Sequence, residues 1–378
     1  MNEKQLFADA ASVLQYLWRD TYTCPNDVVY PWMWLWDSCF TALVWADIDA
    51  EKALTEVRSV LSLRTESGFI AHMGYQRQPQ RSVELWGVPG RSTITQPPMY
   101  GHTLAELARK GIAVTENDID AAILGLQWLL RNRRHHDDEL LFIVHPWENG
   151  VDDSARWDGF LTEPYERERW RQVKQQLVLE LICDEEGCAV DAQRFVVQNA
   201  GFNALVAFNL REIGELAGRS DLITESQRLT ALLENQWAEK AQTWRDVSQC
   251  CAPSSAARTL DSLLGALVTP DKQRAETVLR AVIDNSQYGG EFGPAGVHRN
   301  EETFAADAYW RGPAWPQLTY LFWVAARGHQ LPDVQKQLAE MLQRGAQKSN
   351  WSEYWNPDTA QSSGASPQSW STLSAIVR

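Results

Sequence analysis

Apolar residues recur every three to four positions through most of the chain, the spacing that gives a helix one buried face. Leu6, Ala10, Val13 and Leu17 share a face in the first such stretch, and Trp370, Leu373 and Val377 in the last. This spacing, bounded by capping and breaking residues, predicts twelve helices at approximately 3–19, 36–47, 50–64, 100–111, 118–133, 191–217, 222–240, 257–267, 272–285, 313–327, 332–348 and 367–377. Strictly alternating stretches are few, so an all-α fold is expected.

The links between these helices alternate in character. Those at 47–50, 111–118, 217–222, 267–272 and 327–332 are short polar or Gly/Pro turns. The links into every second helix are longer and mostly aromatic: "YPWMWLWDS", "ELWGVPGRSTITQPPMY", "HPWENGVDDSARWD", "CCAPSSAAR", "AADAYWRGPAWP" and "WSEYWNPDTAQSSGASPQSW". If the helices alternate between an outer and an inner ring, all six long links lie on one face and rim one pocket. The expected architecture is therefore an (α/α)6 barrel, a toroid of two concentric six-helix rings. The highly charged stretch 159–190 interrupts the alternation and reads as an insertion over the pocket or at an edge. No Pro/Ser-rich linker divides the chain, so residues 1–378 are expected to form a single domain.

Composition narrows the function. A net charge of −14 disfavours nucleic acid, whose phosphates need clustered Lys and Arg. No apolar run approaches the roughly 20 residues that a membrane span needs, and no leader pattern is evident, so a cytoplasmic protein without a membrane partner is expected. The six Cys, including the adjacent Cys250 and Cys251, lack metal-ligand spacing and read as reduced and structural. Acidity favours solubility but gives no subunit count, which leaves a homo-oligomer open. Eighteen Trp, most of them near Gly, Pro, Asp or Glu rather than in apolar runs, suggest a stacking surface in polar loops.

Aromatic loops rich in carboxylates suit glycosidic chemistry, in which one carboxyl protonates the leaving oxygen and another activates water or attacks. Two loops qualify. One carries Glu148, Asp152, Asp153 and Asp158; the other carries Glu353 and Asp358. Rings at Trp147, Trp157, Trp351, Tyr354 and Trp355 would limit water there and raise an acid's pKa. Any one of these acids could instead be a helix cap or a solvated charge. No phosphate loop, nucleophile elbow or metal-binding helix is present, so neither a metal nor an organic cofactor is expected.

At these residues the chain resembles a family. "ENGVDDSARWD", "YWRGPAWP", "EYWNPDTA" and "SGASPQSWS", with "YPWMWLWDS" and "QPP" ahead of them, are similar to signatures of glycoside hydrolase family 63 and its trehalase relatives. The resemblance implies an inverting α-glycosidase on an (α/α)6 barrel. It places the general acid at Asp152, with Asp153 as competitor, and the general base at Glu353. Asp37 and Arg311 match positions that bind sugar hydroxyls. The family's usual Gly after "NPDT" is Ala360 here, which puts the turn behind Glu353 in question. The length resembles the compact bacterial branch, whose members act on mannosylglycerate or glucosylglycerate; a small α-glucoside is the next candidate.

Further binding residues follow from residue chemistry. Trp34, Trp36, Trp310 and Trp315 offer faces for sugar stacking, with core packing as the competing role. Tyr30 in the first aromatic link, Trp147 and Trp355 complete the expected aromatic lining. Tyr75 and Gln96, in or near the Arg-containing loop 72–91, could contact sugar or aglycone. Arg77, Arg81 and Arg91 of that loop are candidates for gripping a carboxylate. Trp128, Trp237 and Trp323 fall inside predicted helices and read as core. His72 reads as a sugar ligand or a satisfied core residue. Two other functions stay open. A sugar epimerase would draw on His72, His102, His145 or His298, and an inactive glycan-binding protein would keep the aromatic pocket without turnover.

Overall fold

The computed structural model describes residues 3–248 and 256–378. It is predominantly helical. The first six helices are α1 (Glu3–Leu17), α2 (Leu35–Trp45), α3 (Ala50–Leu61), α4 (Val83–Trp86), α5 (Tyr100–Arg109) and α6 (Glu116–Asn132). They are followed by α7 (Arg167–Leu179), α8 (Ala200–Ala217), α9 (Ser220–Glu234), α10 (Lys272–Ile283), α11 (Pro316–Gly328) and α12 (Pro332–Lys348). Two segments predicted as α-helices, Leu260–Leu267 and Ser369–Ala375, are tighter 3-10 helices. Hydroxyls bond back onto the preceding turn in both, Ser262 to the Thr259 carbonyl and Thr372 to the Ser369 carbonyl. Such bonds compete with regular α-helical ladders.

Burial separates the elements into two sets. Every residue of α2, Leu260–Leu267 and Ser369–Ala375 is buried, as are most of α5, α8 and α11. By contrast α1, α3, α6, α9, α10 and α12 bury one face and expose the other. The buried elements touch in a closed circuit: α2 meets α5, α5 meets α8, and α8 meets Leu260–Leu267. The circuit continues through α11 and Ser369–Ala375 back to α2.

Caps explain several boundaries. Asp49 and Asp271 accept backbone N–H groups that open α3 and α10, and Thr115 with Asp118 forms a capping box on α6. The helix expected over 191–217 starts only at Ala200, because Asn199 caps it by accepting the Phe202 N–H at 2.7 Å. Ahead of it Ala189–Ala192 pairs with Leu181–Cys183, and Val197–Gln198 with Val247–Ser248. The helix expected to run to 240 stops at Glu234, and Trp237 lies in a short hairpin with Thr243–Trp244, half-buried against Trp244. Trp128 and Trp323 are buried as expected.

The charged stretch 159–190 folds as α7 and one strand of the Leu181–Cys183/Ala189–Ala192 hairpin. Its apolar side joins Val178 and Leu181 to Tyr75, Trp86 and Val88 in a core separate from the main one. None of the described helices is long and apolar enough to cross a membrane. Cys24, Cys39 and Cys188 are buried free thiols and Cys183 is an exposed one, while Cys250 and Cys251 lie outside the described residues.

Candidate active site

Five of the six aromatic links converge on one pocket, whose open space is about 470 Å³. The segment entering α2 supplies Tyr30, Trp34, Trp36 and Asp37, and the one entering α5 supplies Gln96. The opening toward α8 brings Trp147, Gly150 and Asp152; that before α11 brings Tyr309 and Trp310. Glu353, Gln368 and Trp370 come from the link into the last 3-10 helix. The sixth link, 250–258, lies partly outside the described residues, and its Ala256 and Ala257 line a different cleft with Arg156 and Asp246.

Ion pairs sort the six candidate carboxylates. Glu148 is fully buried and held by both terminal nitrogens of Arg133 at 2.6 Å. Asp153 takes the Lys174 ammonium on one oxygen and the Tyr165 hydroxyl on the other. Asp158 is bidentate to Arg311, and Asp358 pairs with Arg299. These four are committed to holding loops in place. Asp152 and Glu353 form no ion pair among the described residues, and both line the pocket.

The turn carrying Asp152 is built tightly. Gly150 has a φ of +74°, and a Cβ there would come within 2.5 Å of the Trp36 ring, so only glycine fits both the backbone and the gap. The Trp170 indole donates to the Asp152 carbonyl at 2.7 Å, and Tyr309 donates to its Oδ2 at 3.4 Å. Burial pushes the Asp152 carboxyl up to about 6; Lys174 opposes this and Asp153 adds to it. Glu353 accepts the Ala365 N–H at 2.9 Å and the Tyr30 hydroxyl at 3.1 Å. Burial raises it to about 7 against those two donors. Asp37, buried and contacted by the Gln368 amide at 3.4 Å, is held well above the ordinary carboxylate range by desolvation.

Aromatic rings wall the site. Trp310 lies flat on Trp315, with centroids 3.5 Å apart and planes within 3°. Its φ of +58° is strained for a bulky residue. Among the described residues the buried Trp34 and Trp310 indole N–H groups and the Gln368 side-chain oxygen find no protein partner. All three residues line the pocket. They present two donors and one acceptor to whatever enters.

Of the thirteen expected site residues, four do not line the pocket. Arg311 spends its guanidinium on Asp158 and stacks over Tyr165, 3.9 Å from the ring centroid, so it braces the Asp152 loop. Trp315 is fully buried behind Trp310. Trp355 is buried with its indole donating to the Phe292 carbonyl at 2.7 Å. Tyr75 sits in the second core, accepting from Trp86 at 3.2 Å. The loop arginines do not line it either: Arg77 and Arg81 pair with Asp20 and Glu84, and Arg91 donates to backbone carbonyls. Arg167, at the start of α7, forms no ion pair among the described residues; it lies 5.0 Å from the Tyr309 ring centroid and lines a neighbouring cleft with Tyr309, Asp153 and Lys174. Its charge favours the ionised form of Glu353.

Tyr309, Gln368 and Trp370 were not singled out as ligands. Tyr309 adjoins Trp310 within "YWRGP", and the other two stand in "SPQSW", so proximity to the motifs was the available signal. The histidines lie elsewhere. His72 is buried with Nδ1 on Ser92, burial lowering it to about 3, and His102 bonds Glu212 and Tyr320. Neither these nor His145 and His298 line the pocket. His102, Glu106 and Glu212 are close enough to share a cation, but Arg109 and Arg327 already occupy the two carboxylates.

A helical fold that sets three unpaired, raised carboxyls, Asp37, Asp152 and Glu353, into an aromatic pocket defines a site of the glycoside hydrolase class. Residues 30–371 match the mannosylglycerate hydrolase MGH1-like glycoside hydrolase domain, and the chain belongs to that family. It is 26% identical to a mannosylglycerate hydrolase of Thermus thermophilus, covering 97% of this chain and 99% of that protein. It is 27% identical to a glucosylglycerate hydrolase of Mycolicibacterium hassiacum, over 99% and 97%. The fold is similar to that of a family 63 mannosylglycerate hydrolase from Thermus thermophilus in complex with glucose. There the TM-score is 0.84 at 24% identity, covering 99% of this chain and all of that one. A neutral trehalase from Saccharomyces cerevisiae gives a TM-score of 0.60 at 14% identity, covering 94% of this chain and 72% of that one. The resemblance to family 63 is borne out.

Proposed function

We propose that the chain is a single (α/α)6-barrel domain that hydrolyses a small α-glycoside with inversion, with mannosylglycerate or glucosylglycerate as substrate. The closed circuit of six buried elements, each flanked by a half-exposed helix, supports the barrel. One observation carries the chemistry: of six candidate carboxylates, only Asp152 and Glu353 are free of ion pairs and open to the pocket.

In this reading Asp152 gives its proton to the bridging oxygen as the bond from that oxygen to the anomeric carbon breaks. Glu353 takes a proton from the water attacking the opposite face of the sugar. The products are a sugar of inverted configuration and a free alcohol. Asp152 is left ionised and Glu353 protonated, and exchange with solvent resets both. The reactive form carries one proton on the pair, which titrates as a coupled unit. Burial raises both carboxyls, Asp152 to about 6 and Glu353 to about 7, and the productive arrangement has the proton on Asp152 and the charge on Glu353. The Tyr30 and Ala365 donors and the Arg167 charge favour it by stabilising the Glu353 carboxylate.

Trp34, Trp36, Trp310 and Trp370 supply apolar faces, and the unpartnered indole and amide groups supply hydrogen bonds for sugar hydroxyls. Arg167 provides a positive charge for a carboxylate on the aglycone. Proton NMR with the two glycerate conjugates and a neutral α-glucoside tests the proposal. Early appearance of the β-anomer, lost in Asp152→Asn and Glu353→Gln, supports it; an α-anomer as first product overturns inversion. An epimerase would retain activity in those two variants.

A further inference from the structure

The helix α7 of the charged stretch packs beside the turn that carries Asp152. Three of its side chains engage the acid-bearing turn or its neighbour. Trp170 donates to the Asp152 carbonyl at 2.7 Å, Lys174 pairs with Asp153 at 2.5 Å, and Arg167 lies over the ring of Tyr309. Lys174 is buried, as is Asp153, whose second oxygen takes the Tyr165 hydroxyl at 2.9 Å. Lys174 also faces the pocket wall: its ammonium lies 6.0 Å from the Trp147 ring centroid. Its backbone carbonyl accepts from His145 at 3.0 Å, and the other ring nitrogen of His145 accepts the Trp147 N–H. One residue of the insertion thus touches both the acid's neighbour and a wall of the site.

We infer that Lys174 is a positioning residue for the general acid, which through its buried ion pair with Asp153 fixes the Asp152 turn and sets the charge beside that carboxyl. The inference rests on Asp152 acting as the acid. A buried ion pair adds little net stability compared with apolar residues of the same shape, so its placement one residue from the acid points to a local electrostatic task. Asp153 and Lys174 act on Asp152 with opposite signs. Removing one partner leaves the other's charge uncompensated next to the acid. The other groups facing this region are Tyr309 and Tyr30, Glu353 from the opposite link, Asp37 on α2, His145, Arg311, and Tyr165 and Arg167 of the insertion. All of them are unchanged in the two variants that separate the effects.

The test compares Lys174→Gln, which keeps a donor to Asp153 but no charge, with Asp153→Asn, which leaves the Lys174 charge unbalanced. The Asp152 carboxyl is titrated directly by carbon-13 NMR of aspartate-labelled protein, its signal assigned by its absence in Asp152→Asn. Its midpoint is expected to rise by about one unit in Lys174→Gln and fall by about one unit in Asp153→Asn. The pH optimum of kcat/KM for the glycerate conjugate should move the same way by about half as much, because the optimum lies midway between the acid and base midpoints. Unmoved midpoints, or shifts of the same sign, overturn the inference even if both variants lose stability. Opposite midpoint shifts with an unmoved optimum would uphold the charge setting and remove Asp152 from the acid role. If one variant fails to fold, the sign of the other's shift decides.

Discussion

The phenol of Tyr30 donates to Oε1 of Glu353 at 3.1 Å, joining residues 323 positions apart in the chain. Removing that donor in Tyr30→Phe withdraws support from the ionised carboxylate. A hydrogen bond to a charged group contributes about 1.5–3 kcal/mol, so kcat/KM should fall at least about tenfold. Glu353 should also titrate higher, moving the pH optimum upward if it is the base, as proposed. A pH profile of the variant checks both; an unchanged optimum would show that Tyr30 contacts Glu353 without supporting its charge.

Gly364 lies behind the same carboxylate with a φ of +72°, and a Cβ there would stand 2.3 Å from Glu353 Oε2 and 2.7 Å from the Tyr354 ring. Gly364→Ala must displace the carboxylate, and a misplacement near 1 Å costs on the order of 100-fold in rate. Turnover should collapse while circular dichroism still reports a folded protein. Retained activity would mean that the turn absorbs the methyl elsewhere.

Ala360 adopts a φ of +58° and is buried, with its N–H on the Asn356 carbonyl at 2.9 Å. The turn that most often needs glycine is therefore formed with alanine. Left-handed strain of about 1 kcal/mol is offset by burial of a methyl worth about 0.8 kcal/mol. Ala360→Gly should accordingly change stability by less than about 0.5 kcal/mol and leave kcat unaltered. Thermal melts and steady-state rates test this, and a large gain in activity would identify Ala360 as an impairment.

Glu353 and Asp152 are raised to about 7 and about 6, and Glu56, buried and bonded to Thr23, is raised to about 7 by desolvation. The folded protein binds more protons here than the unfolded chain. Their stability contribution is full below the ordinary carboxylate values near 4 and is lost as pH rises through 6 to 7. Glu353→Gln should melt higher than the parent at pH 8, by on the order of 3 kcal/mol at most, with the gap closing toward pH 5. Parallel melting curves at both pH values would contradict this assignment.

Arg167→Met removes the cation over Tyr309. KM for a glycerate conjugate should rise roughly tenfold, as expected when a charge-assisted contact is lost, while KM for a neutral α-glucoside changes little. Equal effects on both substrates would assign Arg167 to the shape of the site and not to charge recognition.

Helical periodicity was enough to locate the elements of the circuit, and their alternation with aromatic links put the pocket on one face. Element type was less legible. Leu260–Leu267 and Ser369–Ala375 have helical spacing, but the hydroxyls that tighten them act through backbone geometry that spacing does not encode. The motif resemblance favoured Asp152 over Asp153, but the physical difference between them, the pairing of Asp153 with Lys174 and Tyr165, arises only in the folded chain. Arg311 likewise looked like a ligand until Asp158 claimed it. Trp315 and Trp355 share composition with the wall residues and differ only in standing behind the pocket or away from it. Arg167 went unnoticed because the charged insertion offered many cations and no sequence cue to which one meets Tyr309.

The circuit of buried elements has its seam between α2 and Ser369–Ala375. Tyr30, Trp34 and Trp36 are made early during synthesis, and Glu353, Gln368 and Trp370 much later. A nascent chain that has not yet emerged beyond Glu353 therefore holds the proposed acid but not the finished pocket, and docking this late partner is the kind of distant contact that slows folding. In the proposed mechanism catalytic competence arrives with that segment, so a partly made chain would not turn over substrate before the fold is sealed.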